Sequence, residues 1–174
     1  LGASGSSFTM SGGTIVIRNA TSAPSDYLNA SSVATVTGGT LQIGDAGTAN
    51  AQTIRIESSR PVGNLLVSNA TAQAVKPTAQ LTISSLNVVG NVIIQSGTIL
   101  NTSGLNLSLG GDWANSGTFS GGNTVTFNGN GAQSLTRPGG ETFSNLTVNK
   151  VGGTFTLNSS VIVNNTFSFA QGTM

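Results

Sequence analysis

Short runs of alternating apolar and polar residues recur along this chain at intervals of about twenty residues. Gly-Thr followed by an apolar residue marks many of them, as at Gly97-Thr98, Gly117-Thr118, Gly153-Thr154 and Gly172-Thr173. Strands of three to five residues, about 10–17 Å long, are too short to bury a core alone. Stacked about 4.8 Å apart, successive turns would pair each strand with those above and below it and would enclose the apolar side chains. The recurrence therefore predicts an all-β chain folded as a parallel β-solenoid (β-helix) with rungs of about twenty residues.

The stretch GGNTVTFNGNGAQSL, residues 121–135, bears on the main alternative, an antiparallel β-sandwich. Residues 124–127 alternate as a strand does, and the pairs Asn128-Gly129 and Asn130-Gly131 follow at once. Asn-Gly is a strong hairpin signal, and short strands with frequent turns also suit a sandwich. The residues after Gly131 make a poor return strand for a hairpin. Together with the recurrence at about twenty residues, this favours a corner of a solenoid over a hairpin turn. A second unit, apolar-x-apolar, recurs with similar spacing at residues 86–88, 105–107, 125–127 and 146–148.

Composition supports ordered β structure and excludes several classes of function. Only 6% of the residues are charged, against about 25% in an average soluble domain. β-Branched and aromatic residues nevertheless recur in the alternating runs, which a disordered tract would lack. The six basic residues are scattered, so the sequence predicts no nucleic-acid surface. It contains no cysteine and no apolar run long enough for a membrane-spanning helix.

The whole chain, residues 1–174, is predicted to be a single solenoid segment. Two polar stretches, at residues 19–35 and 69–79, interrupt the repeat and are predicted to be loop insertions. Insertions of this kind fall in the loops of stacked repeats. Because the sequence begins at Leu1 rather than Met and shows no obvious polar end cap, we expect it to be an internal fragment of a longer repeat array.

Titratable residues are too few and too scattered to predict an active site. The chain has no histidine, and successive acids are 12 to 55 positions apart. A glycosidase needs two carboxylates at one bond, so that hypothesis predicts at least two acids close together on one surface. Calcium takes about six to eight oxygen ligands, so Asp in a Gly-Asp corner is expected to bond the local backbone instead. The sequence predicts no catalytic, metal or cofactor site; its acids are Asp26, Asp45, Glu57, Asp112 and Glu141.

Two further features are candidates for recognition. Thr-x-Thr occurs at residues 35–37, 124–126 and 154–156, but these copies do not fall on consecutive rungs, as an ice-binding ladder would require. Each pair is therefore expected to flank an inward apolar residue. Tyr27 and Trp113 are the large amphipathic aromatics and the candidate glycan contacts, since either ring could stack on a sugar. The competing role for both is packing, and Trp113 would point inward if it aligns with Ile93.

Most of the chain resembles the repeat regions of very large surface proteins of Bacteroidetes-type bacteria. The stretches that carry the resemblance are MSGGTIVIRN, YLNASSVATVTGGTLQIGDAGT, LNLSLGGDWANSGTFSGGNTVTFNGNGAQSL and FSNLTVNKVGGTFTLNSSVIVNNTFSFAQGTM. The resemblance implies a right-handed parallel β-helix, export by the type IX secretion route, and kinship with adhesins and gliding-motility filaments. In such proteins these repeats act as stalk or scaffold.

The residues and the resemblance together predict a non-enzymatic structural segment, located outside the cell at the bacterial surface. Its expected partners are neighbouring repeats of the same chain, with surface glycans or other surface proteins as further partners. A carbohydrate-binding β-helix module is the alternative function, and a polysaccharide-degrading enzyme is a weaker one.

Overall fold

The chain forms a parallel β-solenoid of about eight turns in the computed structural model, which describes residues 5–174. Every strand pair among these residues is parallel, so the predicted solenoid is confirmed and the antiparallel sandwich is not formed. The strands are β1 (Ser7–Met10), β2 (Thr14–Ile17), β3 (Tyr27–Asn29), β4 (Val33–Val36), β5 (Thr40–Ile43), β6 (Thr53–Ser58), β7 (Asn64–Val67), β8 (Thr78–Leu81), β9 (Leu86–Val88), β10 (Val92–Ile94), β11 (Ile99–Asn101), β12 (Leu107–Leu109), β13 (Trp113–Asn115), β14 (Thr118–Ser120), β15 (Thr124–Phe127), β16 (Gln133–Thr136), β17 (Glu141–Leu157) and β18 (Val161–Thr173).

Successive strands of a turn lie on three different faces of the solenoid. Most strands pair with the strand on the same face one turn later; β4 and β14 pair only with the strand one turn earlier. The long strands β17 and β18 bend around corners and so belong to more than one face. Face 1 contains β1, β4, β9, β12, β15, residues 145–148 of β17 and residues 166–169 of β18; face 2 contains β2, β5, β7, β10, β13, β16 and residues 155–157 of β17; face 3 contains β3, β6, β8, β11 and β14.

Turn length differs between the two halves of the chain. Paired residues are 24 to 29 positions apart in the N-terminal half and 18 to 22 apart from β8 onward. The longer turns include the two stretches predicted as loop insertions. Residues 19–35 contain β3 and β4 as well as loop, whereas residues 68–77 form no strand and β8 begins at Thr78. The ladders thus absorb extra residues at the corners without losing register.

The two Asn-Gly pairs form a corner, as the recurrence predicts. They follow β15 on face 1 and precede β16 on face 2, and those two strands do not pair with each other. Gly129 lies so close to the previous turn that a Cβ there would be 2.0 Å from the Gly110 carbonyl oxygen. At this corner glycine is required for the close approach of two backbones.

Inward side chains stack in apolar columns along the solenoid axis. The apolar-x-apolar unit predicted at residues 105–107 starts two residues before the strand. Leu107 and Leu109 of β12 are buried, whereas Leu105 is half-buried and packs against the core from outside the strand. Trp113 also points inward, but it aligns with Val92 rather than with Ile93. The columns of face 1 are Leu86–Leu107–Val125–Leu146–Phe167 and Val88–Leu109–Phe127–Val148–Phe169.

Asparagine and aspartate side chains link successive turns at the start of face 2. Asn64 Oδ1 accepts a hydrogen bond from the Asn91 backbone N–H at 2.9 Å. Asn91 Oδ1 accepts one from Asp112 at 2.7 Å, and Asp112 Oδ1 accepts one from Ser134 at 2.7 Å. Each bond joins equivalent positions one turn apart. The ladder satisfies backbone N–H groups at the corner, which is one reason why the chain is rich in Asn.

Within residues 5–174, no helix is long or apolar enough to cross a membrane.

Candidate functional site

Two acids come together on face 3 near the start of the solenoid. Asp26 directly precedes β3, and Glu57 lies on the neighbouring strand β6. Ser25 Oγ donates to Glu57 Oε2 at 2.7 Å, and Arg55 forms an ion pair with Asp26 at 3.1 Å. Residues offset by two on neighbouring strands are about 7–8 Å apart. Face 3 therefore brings two acids near each other, although the Asp26 side chain is 0% exposed.

The chemical state of Asp26 does not suit the role of general acid. Its carboxylate accepts hydrogen bonds from the Thr21 N–H (2.7 Å), the Thr21 hydroxyl (2.9 Å) and the Arg55 N–H (2.7 Å), besides the Arg55 guanidinium. Burial alone raises the pKa of the Asp26 carboxyl, but these hydrogen bonds outweigh burial and lower that pKa from 3.8 to about 2. A general acid needs a raised pKa. Through these hydrogen bonds the Asp26 carboxylate instead holds residues 21–26 against β6.

Asp45 and Asp112 also bond within the protein. Both Asp45 oxygens accept from the Arg18 guanidinium at 2.9–3.0 Å, and this hydrogen bond lowers the pKa of the Asp45 carboxyl. Asp112 Oδ1 accepts from the Ser134 N–H and hydroxyl. Across residues 5–174, acids do not gather in groups of three or more that could hold a metal ion.

Glu141 is a buried carboxylate inside the solenoid. Its Oε2 accepts hydrogen bonds from Trp113 Nε1 at 2.9 Å and from Asn115 Nδ2 at 2.7 Å. Arg137 Nε lies 3.4 Å from the other oxygen, Oε1. The Trp113 ring also packs edge-on against Phe119, with ring centroids 5.0 Å apart. Because a buried charge is tolerated only when paired and hydrogen-bonded, this network fixes the position of Trp113 in the core.

The burial of both aromatic candidates contradicts their predicted role as glycan contacts. Trp113 is 0% exposed and Tyr27 is 8% exposed, so neither presents a ring face to a sugar. Tyr27 is in β3 and pairs with Ile56, not in a protruding loop, and burial raises the pKa of its phenol. The sequence analysis placed Tyr27 within the predicted loop insertion at residues 19–35, because that stretch is polar, and kept packing as the competing role for its ring. The strand pairing that turns its ring inward is made with a residue far along the chain.

Lys150 is a second charge that is fully buried. Its ammonium donates to the carbonyl oxygens of Gly129 (2.9 Å) and Gly131 (2.7 Å) and to Gln133 Oε1 (2.8 Å). Burial lowers the pKa of this amine, and the Asp112 charge partly offsets that effect. The lysine thus ties β17 to the Asn-Gly corner of the turn before it. The sequence offered no signal for this contact except a lysine within a run of alternating apolar and polar residues.

Face 1 carries two outward rows of small polar side chains that the sequence analysis did not recognise. Polar-apolar-polar triplets occupy the same position in five consecutive turns, from β9 to β18. Only one Thr-x-Thr copy, at residues 124–126, belongs to these rows; the apolar residue that it flanks, Val125, is buried as expected. The triplets are at residues 85–87, 106–108, 124–126, 145–147 and 166–168.

The C-terminal end of the solenoid is an open apolar surface, here called the end face. A cavity of about 300 Å³ lies there, lined by Leu146, Leu157, Val161, Val163, Phe167 and Met174. The same columns are sealed one turn earlier, where Leu146 is 2% exposed, whereas Phe167 is 48% exposed. The end face therefore has the apolar surface that each internal turn presents to the next.

Comparison with family models, with curated proteins and with solved structures gave no match for this chain.

Proposed function

We propose that the chain is a non-catalytic stalk or scaffold segment of a bacterial cell-surface adhesin or surface filament, of the kind exported by type IX secretion and found in gliding-motility filaments. The observation that carries the proposal is the end face. Its exposed Phe167 and Phe169 lie in register with buried columns, so one more turn of the same kind would cover them. A stack of such turns can differ in length without a change in its cross-section, as a stalk requires.

The disposition of charges supports a structural role. Charged side chains of face 3 and of the core are bonded to the protein itself, as Asp26, Glu141 and Lys150 illustrate. Such contacts brace loops and corners between neighbouring turns. A solenoid held in this way transmits load along its axis, because each turn is stabilised mainly by its neighbours.

The cell-surface part of the proposal is tested by immunolabelling intact cells of the bacterium that carries the gene, with antibodies raised against this chain. We expect label on unpermeabilised cells, on material that extends from the envelope. Label that appears only after permeabilisation contradicts the proposal.

The non-catalytic part is tested by incubating the chain with polysaccharides and measuring released reducing ends. We expect none above a buffer blank. Release that is abolished by Glu57→Gln but retained in Glu57→Asp would establish the enzyme alternative at the face 3 acid pair and overturn this part of the proposal.

A further inference from the structure

Two neighbouring recesses open on face 1 and the corner that follows it. The first, about 250 Å³, lies between the two polar rows and is rimmed by Ser85, Asn87, Asn106, Ser108, Thr124 and Thr126. The second, about 270 Å³, lies at the corner and includes Asn128 and Asn130 of the two Asn-Gly pairs. Asn87 lines both, so the two recesses form one surface, here called the polar groove.

The polar groove is lined without a single ionisable side chain. Its floor is the strand backbone, because the side chains of Leu86 and Leu107 point inward and are buried, and its rims are hydroxyls and amides. Absence of charge makes it a poor match for nucleic acid, acidic peptides or an anionic membrane, which are all bound through cations. A neutral ligand rich in hydroxyl groups is the partner that complements this surface in charge and in hydrogen bonding.

Several polar groups of the groove are free to bond a ligand. Ser108 Oγ donates to Asn87 Oδ1 at 3.0 Å, which orients the Asn87 amide and leaves its two N–H donors unused. The hydroxyls of Thr124 and Thr126 have no hydrogen-bond partner within residues 5–174. The same holds for the side-chain amides of Asn128 and Asn130 in that part of the chain.

These groups are also held in a fixed arrangement. The rows rise by one strand spacing, about 4.8 Å, with each turn. Threonine side chains on a strand have few rotamers, so little conformational freedom is lost when they bind. The corner is recessed because glycines occupy it: a Cβ at Gly110 would be 2.3 Å from the Val89 carbonyl oxygen. An extended polymer could therefore contact several turns at once.

We propose that the polar groove binds a neutral polysaccharide, with Asn87, Ser108, Thr126, Asn128 and Asn130 as the contact residues. The polymer lies along the solenoid axis over the row of Asn87, Ser108 and Thr126 and the corner beside it, with its hydroxyl groups bonded to these side chains. This site is distinct from the predicted contacts Tyr27 and Trp113, which are buried. It is also independent of the stalk role, since a solenoid can bear load with or without a ligand.

The proposal is tested by affinity electrophoresis and titration calorimetry of the chain with soluble dextran, laminarin, galactomannan and xyloglucan. Alginate and heparin serve as acidic polymers. We expect at least one neutral polysaccharide to bind, with little dependence on salt because no ion pairs form. No binding to any neutral polymer, or binding to the acidic polymers alone, overturns the proposal.

Variants locate the site. Thr126→Lys and Ser108→Lys place a long charged chain in the groove and are each expected to weaken binding at least about tenfold. The double substitution Asn128→Ala with Asn130→Ala removes hydrogen bonds only and should act in the same direction. The matched control is Thr118→Lys, which changes an exposed threonine on face 3 of the same turn as Ser108. Unchanged melting temperatures verify folding, and equal binding by the control and the folded groove variants contradicts the assignment.

Discussion

At the scale of single residues, several of the few charged side chains of this chain are buried or half-buried and stabilise contacts between turns. Asp26 and Arg55 fasten a loop to the next turn, Glu141 fixes Trp113, and Lys150 fastens a strand to the Asn-Gly corner. Each of these contacts is at least partly withdrawn from water, where hydrogen bonds are strong and an unpaired partner is costly. The residues that are rarest in the sequence are therefore expected to be among the most sensitive to substitution.

Asp26 should make the stability of the fold depend on pH in acid. Its pKa is about 2 in the folded chain, below the ordinary 3.8, so its contribution is fully present above about pH 4 and is lost as the pH falls toward 2. This lowering of the Asp26 pKa corresponds to about 2 kcal/mol in the free energy of unfolding. Urea unfolding between pH 2 and 7 should show this loss in the native chain and a correspondingly smaller loss in Asp26→Asn. Parallel pH profiles for the two proteins would contradict the role of Asp26.

Lys150→Met should destabilise the chain by about 2–4 kcal/mol, because the buried Gly129 carbonyl and the buried Gln133 amide oxygen lose their donor. Lys76→Met is the control. Lys76 is only half-buried, and its Nζ bonds a single carbonyl, that of Thr71, so the expected loss is below about 1 kcal/mol. The measurement is the free energy of unfolding in urea. Equal losses in the two variants would show that the Lys150 hydrogen bonds contribute nothing beyond packing.

At the scale of strands and corners, the sequence predicts the spacing of successive turns well. It predicts less well which residues of a turn point inward. The recurrence of alternating runs predicted parallel stacking and a corner at the Asn-Gly pairs, because strand alternation and turn formation depend on residues that are close together in the sequence. It could not decide between residues 105–107 and 107–109 as the inward unit, nor whether Tyr27 stands in a loop or a strand. Those choices depend on pairing with residues about twenty to thirty positions away. The polar groove was missed for the same reason, since its rows exist only across turns.

The two glycines of the Asn-Gly corner should respond differently to the same substitution. A Cβ at Gly129 would collide with the Gly110 carbonyl oxygen at 2.0 Å, whereas a Cβ at Gly131 would meet nothing within 4 Å. Gly129→Ala should lower the free energy of unfolding by at least about 2 kcal/mol, because backbone must move. Gly131→Ala should change it by about 0.5 kcal/mol or less. Chemical denaturation of both variants provides the test, and similar losses would refute the close packing of turns at this corner.

At the scale of the whole molecule, each turn is stabilised by stacking on its neighbours. Its stability therefore depends on how much of its surface those neighbours cover. Internal turns have neighbours on both sides, while the last turn has one. The same residue type in the same column should therefore contribute differently according to its position along the axis.

Phe127 and Phe169 allow this to be measured, because they belong to one column two turns apart. Phe127 is 0% exposed and stacks against Phe155 with centroids 4.3 Å apart, while Phe169 is 45% exposed. Phe127→Ala should destabilise the chain by about 3–5 kcal/mol, as for a buried phenylalanine elsewhere. Phe169→Ala should cost about 1 kcal/mol or less, because its side chain is only half removed from water.

If another turn is added beyond residue 174 by fusing solenoid repeats in register, the cost at Phe169 should rise toward that at Phe127, measured again by urea unfolding. A cost at Phe169 that stays unchanged in the extended chain would mean that the end face does not accept a further turn, and the stalk proposal would lose its main support.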